Sequence, residues 1–139
     1  MPNAIMPNAE WYSQLIKPSW APPSWLFGPV WTVLYIIIFI SFGMVFYKAI
    51  THKISWLIAL PFLLNLVFNL AFTPIQFGLK NNVLALIDIL LVIGTLIWAL
   101  VGIWNAASDL RWVVYVNIPY LLWGLFATVL QMTVTYLNR

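Results

Sequence analysis

The chain has no cysteine, a single histidine and very few charges, with 3 acidic and 6 basic residues among 139. Without cysteine there is no disulfide, no thiolate metal site and no cysteine nucleophile, and redox compartment leaves no trace in the sequence. The one histidine, His52, falls in the short loop between Lys48 and Lys53. Axial ligation of haem iron by the usual donors, and Ser–His–Asp or Cys–His catalysis, therefore have no residues to run on. Charged residues are 6% of the chain, where a soluble domain carries about 25%. That is too few to cover a water-facing surface. The net charge of +3 is scattered singly along the chain, which argues against a nucleic-acid footprint. The opening residues lack a basic start followed by an apolar core, so no signal peptide is expected.

What is present is apolar: 64% of residues are hydrophobic and the mean hydropathy is +0.98. A single domain living in a bilayer is the reading that fits. Four membrane-spanning helices are predicted, over about residues 26–47, 54–72, 83–104 and 109–137. Each runs for about 19 to 29 residues, enough to cross roughly 30 Å of hydrocarbon. Pro29 falls in the first turn of the first span, where a missing N–H costs nothing. Pro61 should kink the second and Pro119 the fourth. Asn81 and Asn82 are capable N-caps for the third, and Ser108 is expected to cap the fourth. Both termini then share one side of the membrane with Lys17, Lys80 and Arg139, against Lys48, Lys53 and Arg111 on the other. Equal numbers give the positive-inside rule nothing to decide.

Ahead of the first span lies a stretch that a membrane helix does not need. Residues 11–35 read WYSQLIKPSWAPPSWLFGPVWTVLY, with Trp11, Trp20, Trp25 and Trp31 interleaved with Pro18, Pro22, Pro23 and Pro29. Proline fixes φ and removes a donor, so this stretch is stiff and non-helical before the span begins. Its aromatics supply large flat faces. We read it as a lid over a ligand cavity between helices. Residues 1–10, a near-duplication MPNAI–MPNAE, read as a polar tail too short and too wet to span.

Polar residues within spans are costly and usually face the bundle interior. Asn65 and Asn69 lie four apart on one face of the second span, where they can bond neighbouring helices, contact a ligand, or both. Trp31 and Tyr35 form a second four-apart pair on the first span. Trp123, Ala127 and Gln131 line one face of the last, and Ala127 leaves room beside Trp123 for something flat. Plain packing of a large residue against a small one is the competing explanation. Gly124 and Thr128 form a small-xxx-small pair suited to bringing two helices, or two subunits, close. Asp88 is the only acid within an apolar run. It could face headgroups, bond a neighbouring helix, or relay protons. Val134, Tyr136 and Arg139 fit a weak sterol-contact pattern that is frequent by chance at helix ends.

Three motifs in order resemble the TspO/MBR family, the tryptophan-rich sensory proteins that include the mitochondrial translocator protein. They are W-Y-x-x-L-x-K-P-x-W-x-P-P followed by F-G-P-x-W-x-x-L-Y over residues 11–35, N-x-x-x-N at Asn65 and Asn69, and P-Y-x-x-W-x-x-F-A-T-x-L over residues 119–130. The resemblance covers residues 11–138. It implies a helical membrane protein, usually a homodimer, that binds porphyrins and in some members sterols and benzodiazepine-type ligands. It also implies a pocket closed by the loop at residues 11–23, lined by Trp31, Asn69, Trp123 and Ala127, and reached from the loop by Tyr12. Some bacterial members are reported to degrade protoporphyrin in light, with tryptophans implicated.

The family has five spans, the first preceding the loop. The expected fold is therefore an all-α integral membrane protein, a four-helix bundle at residues 11–139 resembling the five-helix fold with its first helix missing. A late start is favoured over a genuine four-helix variant. On that reading the lid is tethered on its C-terminal side alone.

The function expected is a membrane receptor or carrier for a flat hydrophobic ligand, with protoporphyrin IX the expected one, and with no required cofactor and no metal. The expected ligand contacts are Tyr12, Trp20, Pro22, Trp31, Tyr35, Asn65, Asn69, Trp123 and Ala127. Lys17, Lys80 and Arg139 emerge on the lid side, where they could meet porphyrin propionates. The rivals are a light-dependent porphyrin-degrading enzyme using Trp20, Trp31 and Trp123, and a structural or regulatory membrane protein without a ligand. A bacterial cell membrane is the expected location, or the mitochondrial outer membrane for a eukaryotic chain.

Overall fold

Long apolar runs that cannot meet water as strands fold into helices, which close every backbone hydrogen bond internally. In the structure, a computed structural model, residues 15–21 and 26–138 are described, and among them all regular elements are helical. Helix α1 spans Phe27–Ile50, α2 Trp56–Thr73, α3 Asn82–Ala106, α4 Arg111–Val116 and α5 Ile118–Leu137. The four longer ones, α1, α2, α3 and α5, are each long and apolar enough to cross a membrane.

The helix ends follow from local chemistry. The Ser55 hydroxyl caps α2 by accepting from the Leu57 amide at 3.1 Å, and Asn81 Oδ1 caps α3 by accepting from Leu84 at 2.9 Å. A π-helical turn over Pro74–Gly78 follows α2. Helix α2 passes through Pro61 without interruption.

The fourth span departs from expectation. In place of one helix from residue 109 with an interior kink at Pro119, a 3₁₀ turn at Ser108–Leu110 leads into α4, and the chain leaves helical geometry at Asn117. Pro119 therefore sits in the first turn of a new helix, where its missing N–H is harmless. The break is fixed by the Asn117 side chain, which donates to Val113 O at 2.8 Å and to Ser41 Oγ of α1 at 2.9 Å. Ser108 makes no side-chain cap, and Ala107 occupies that position.

Helix α3 packs along α2 on one side and α5 on the other, while α1 packs on α2 and α4. Small residues allow the close approach: Ala59, Ala85 and Ala99 are all buried. Phe42 and Phe62 join α1 to α2 edge to face at 4.8 Å. Gly124 settles the small-residue pair of α5 within one chain, since a Cβ there would lie 2.6 Å from Ile93 Cδ1 of α3.

Polarity is arranged inside out. Ile36, Phe39, Leu63, Val67, Ile87 and Val129 face outward, while Ser41, Asn65, Asn69, Asp88, Thr95, Asn117, Thr128 and Gln131 are buried. Lipid tails are as apolar as leucine, so apolar burial does not hold these helices together. Close packing and inter-helix hydrogen bonds do. This is a multi-pass membrane protein.

Candidate functional site

The buried polar residues are connected. Tyr35 of α1 donates to Asn69 Oδ1 of α2 at 2.9 Å. Asn69 Nδ2 donates to the Tyr120 hydroxyl of α5 at 2.7 Å, and that hydroxyl donates to Asn65 Oδ1 at 2.8 Å. Asn65 Nδ2 then donates to Val92 O of α3 at 2.8 Å and to Thr95 Oγ1 at 3.3 Å. One chain of hydrogen bonds crosses all four long helices. Fully satisfied networks of this kind fix a unique arrangement, and every member would be costly to orphan. The four-apart spacing of Asn65 and Asn69 lets one tyrosine hydroxyl bridge both amides.

Aromatic rings form two groups, one on this network and one along α5. Trp31 lies 5.7 Å from Tyr35 and 6.4 Å from Tyr120, the second contact edge to face. Trp123 lies 5.4 Å from Phe126, which in turn meets Trp20 of the loop edge to face at 5.8 Å. A cleft of about 560 Å³ opens between α1 and α5, with Pro29, Val30, Val33 and Leu34 on one wall and Pro119, Leu122, Trp123 and Phe126 on the other. Its walls are almost wholly apolar. A space of that size and character suits a small hydrophobic molecule.

The residues singled out in the sequence are distributed as follows. Trp31, Tyr35 and Asn69 come together, with Asn65 one turn deeper and fully buried. Trp123 borders the cleft and Ala127 is half-buried on the same helix. Gln131 is turned elsewhere: its amide reaches Asn82 O at the start of α3 at 3.2 Å. Val134 is buried whereas Tyr136 is exposed, so those two do not share a face. Lys80 is exposed and adopts a left-handed backbone, φ 53°. The Lys17 ammonium donates to Leu15 O at 3.2 Å, and partial burial lowers it from the ordinary lysine value. His52, Lys48 and Asp109 lie at the opposite end, where Lys48 pairs with Asp109 at 3.3 Å. Among the described residues no three His, Asp or Glu side chains gather as metal ligands. Tyr12, Pro22 and Arg139 lie outside the described residues.

Asp88 is buried within α3, and its Oδ2 has no hydrogen-bond partner among the described residues. That placement puts it inside the bundle.

Two residues were not singled out as site residues in the sequence. Tyr120 is the hub of the polar network and is wholly buried; its signal was its place in the Pro119–Tyr120 pair that opens the third motif. Asn138 fastens the loop: its Oδ1 accepts from the Ile16 amide at 3.0 Å and its Nδ2 donates to Ile16 O at 2.8 Å. The expectation of a loop tethered only on its C-terminal side is thereby corrected, because residues 15–21 are also held to α5 at Asn138 and at Phe126.

Comparison with known proteins agrees with the geometry. The chain is 38% identical to the tryptophan-rich protein TspO of Bacillus cereus over 132 residues, 94% of this chain and 82% of that protein. It is 31% identical to the tryptophan-rich sensory protein of Cereibacter sphaeroides over 97% of this chain and 81% of that one. The human translocator protein is 36% identical over 90% of this chain and 73% of its own length. The model of the TspO/MBR family matches residues 2–137. With its membrane-spanning helices, its tryptophan-bearing loop and its asparagine–tyrosine network in place, the chain belongs to the TspO/MBR family.

Proposed function

We propose that the protein is a membrane receptor or carrier for a flat hydrophobic ligand, and that a metal-free porphyrin is the class it takes. The observation that carries this is an apolar cleft of about 560 Å³ bordered by the Trp123–Phe126 pair, with a second aromatic pair, Trp31 and Tyr35, on the helix that forms its other wall. Flat rings offer large contact area at little conformational cost and stack well on an extended π-system. The buried amides of Asn65 and Asn69 are already occupied by tyrosine hydroxyls, so they hold together the helices that carry the site. Lys17 and Lys80, at the loop end, supply positive charge for propionate groups. Relatives named translocator and tryptophan-rich sensory protein support a binding role. The bacterial relatives support a place in the bacterial cell membrane, and the homodimer implied by the resemblance is tested by crosslinking in native membranes.

Titration of the purified protein with protoporphyrin IX, followed by tryptophan quenching, tests the reading. Saturable quenching at equimolar ligand is expected. Linear, non-saturating quenching would show only partition into detergent and would remove the proposal.

A second reading, light-driven porphyrin degradation, draws on the contact series Trp20–Phe126–Trp123, whose ring centroids are 5.8 and 5.4 Å apart. It predicts a new absorbing product formed over many turnovers under illumination. Bleaching that stops at one equivalent speaks against it.

A further inference from the structure

The loop ahead of α1 is fastened to α5 at two points, the outer of which the ligand reading does not use. At one, Asn138 treats Ile16 as a neighbouring strand would, accepting from its amide at 3.0 Å and donating to its carbonyl at 2.8 Å. The same Nδ2 also donates to Val134 O at 2.8 Å, which fixes the amide's orientation against its own helix. At the other, Trp20 packs on Phe126 at 5.8 Å. Residues 126 and 138 are about 18 Å apart along a helix rising roughly 1.5 Å per residue. Residues 16–20 therefore run alongside α5 as a strap, with Asn138 at its outer end and Trp20 at the inner end, one ring away from Trp123.

We propose that Asn138 is the latch of this strap, a positioning residue that holds Trp20 over Phe126 and so sets how long a ligand stays in the cleft bordered by Phe126 and Trp123. The inference rests on the ligand reading for its consequence but not for its structural half. Asn138 meets both polar groups of one backbone residue, which aspartate, lacking a donor, and leucine, lacking both, cannot reproduce. Opening of the outer end lets residues 16–20 lift from α5 and carry Trp20 off Phe126, and the exit of a bound ring is gated by that movement. Loop gating of this kind slows dissociation when the closed state dominates in the complex.

The test uses the full chain in detergent or nanodiscs, with Asn138→Leu and Asn138→Asp beside the native protein. Hydrogen exchange at the Ile16 amide is measured without ligand, and protoporphyrin IX dissociation is measured by stopped flow. Exchange at Ile16 should rise about tenfold in N138L, the loss of roughly one net hydrogen bond's stabilisation, and less in N138D, which keeps the acceptor. Dissociation of protoporphyrin IX should quicken in the same order. Unchanged exchange at Ile16 in N138L would overturn the latch. Faster exchange with unaltered dissociation would overturn its control of the ligand. If the native protein shows no saturable protoporphyrin IX binding, the ligand reading and this control fall together, while Ile16 exchange still decides the latch.

Discussion

The Tyr120 hydroxyl accepts a hydrogen bond from Asn69 at 2.7 Å and passes its own proton toward Asn65, 2.8 Å away on the same helix. One oxygen thus satisfies a donor and an acceptor one turn apart, in a medium that offers neither water nor lipid partners. Between helices that gain nothing from hiding apolar surface, such bonds select one arrangement of the bundle.

Tyr120→Phe leaves Asn65 Oδ1 and one hydrogen of Asn69 Nδ2 unsatisfied at sites that are almost wholly buried. We expect a loss of about 2–3 kcal/mol, toward the upper end for a hydrogen-bond deletion. Tyr35→Phe removes one donor at a half-buried position and should cost about 1 kcal/mol or less. Unfolding by steric trapping or graded denaturant in nanodiscs ranks the two. Equal costs would contradict the hub role of Tyr120.

Much of this was legible in the sequence, and the parts that were not share a cause. Hydropathy located the spans because the bilayer imposes a length on each. The spacing of Asn65 and Asn69 placed them on one face because helix geometry is local. The break at Asn117 was not legible, since the residue is held by Ser41 of α1, far away in the chain. Pro119 drew attention to the right place but the wrong residue. The strap was missed for the same reason: nothing near Ile16 announces Asn138 as its partner. Tertiary hydrogen bonds leave no periodicity.

Gly124→Ala should be tolerated at modest cost. The added Cβ would meet Ile93 Cδ1, the end of a flexible side chain, so Ile93 turns aside and packing with α3 loosens. Overpacking of this kind costs about 1 kcal/mol. A bulkier Gly124→Val has no such escape and should separate α3 from α5. Thermal midpoints in detergent should fall in the order native, Ala, Val.

The ion pair of Lys48 and Asp109 is half solvent-facing, with Asp109 66% exposed. A double-mutant cycle with Lys48→Met and Asp109→Asn should return a coupling below about 1 kcal/mol. Salt should weaken it further. A coupling of several kcal/mol would mean that this end of the bundle is drier than its exposure indicates.

The central claim is that the aromatic groups around Trp31 and Trp123 form a ligand site, and the direct measurement is protoporphyrin IX affinity in Trp31→Phe/Trp123→Phe. Each replacement keeps an aromatic filler in the fold while removing indole area from the site, so the bundle should stay folded by far-UV circular dichroism. Because quenching loses two of its nine reporters in this variant, affinity is read from the porphyrin's own absorbance. The dissociation constant should rise at least about tenfold, the effect of roughly 1.4 kcal/mol of lost contact. An unchanged dissociation constant in the folded double variant would contradict the account, because the ligand would then lie elsewhere.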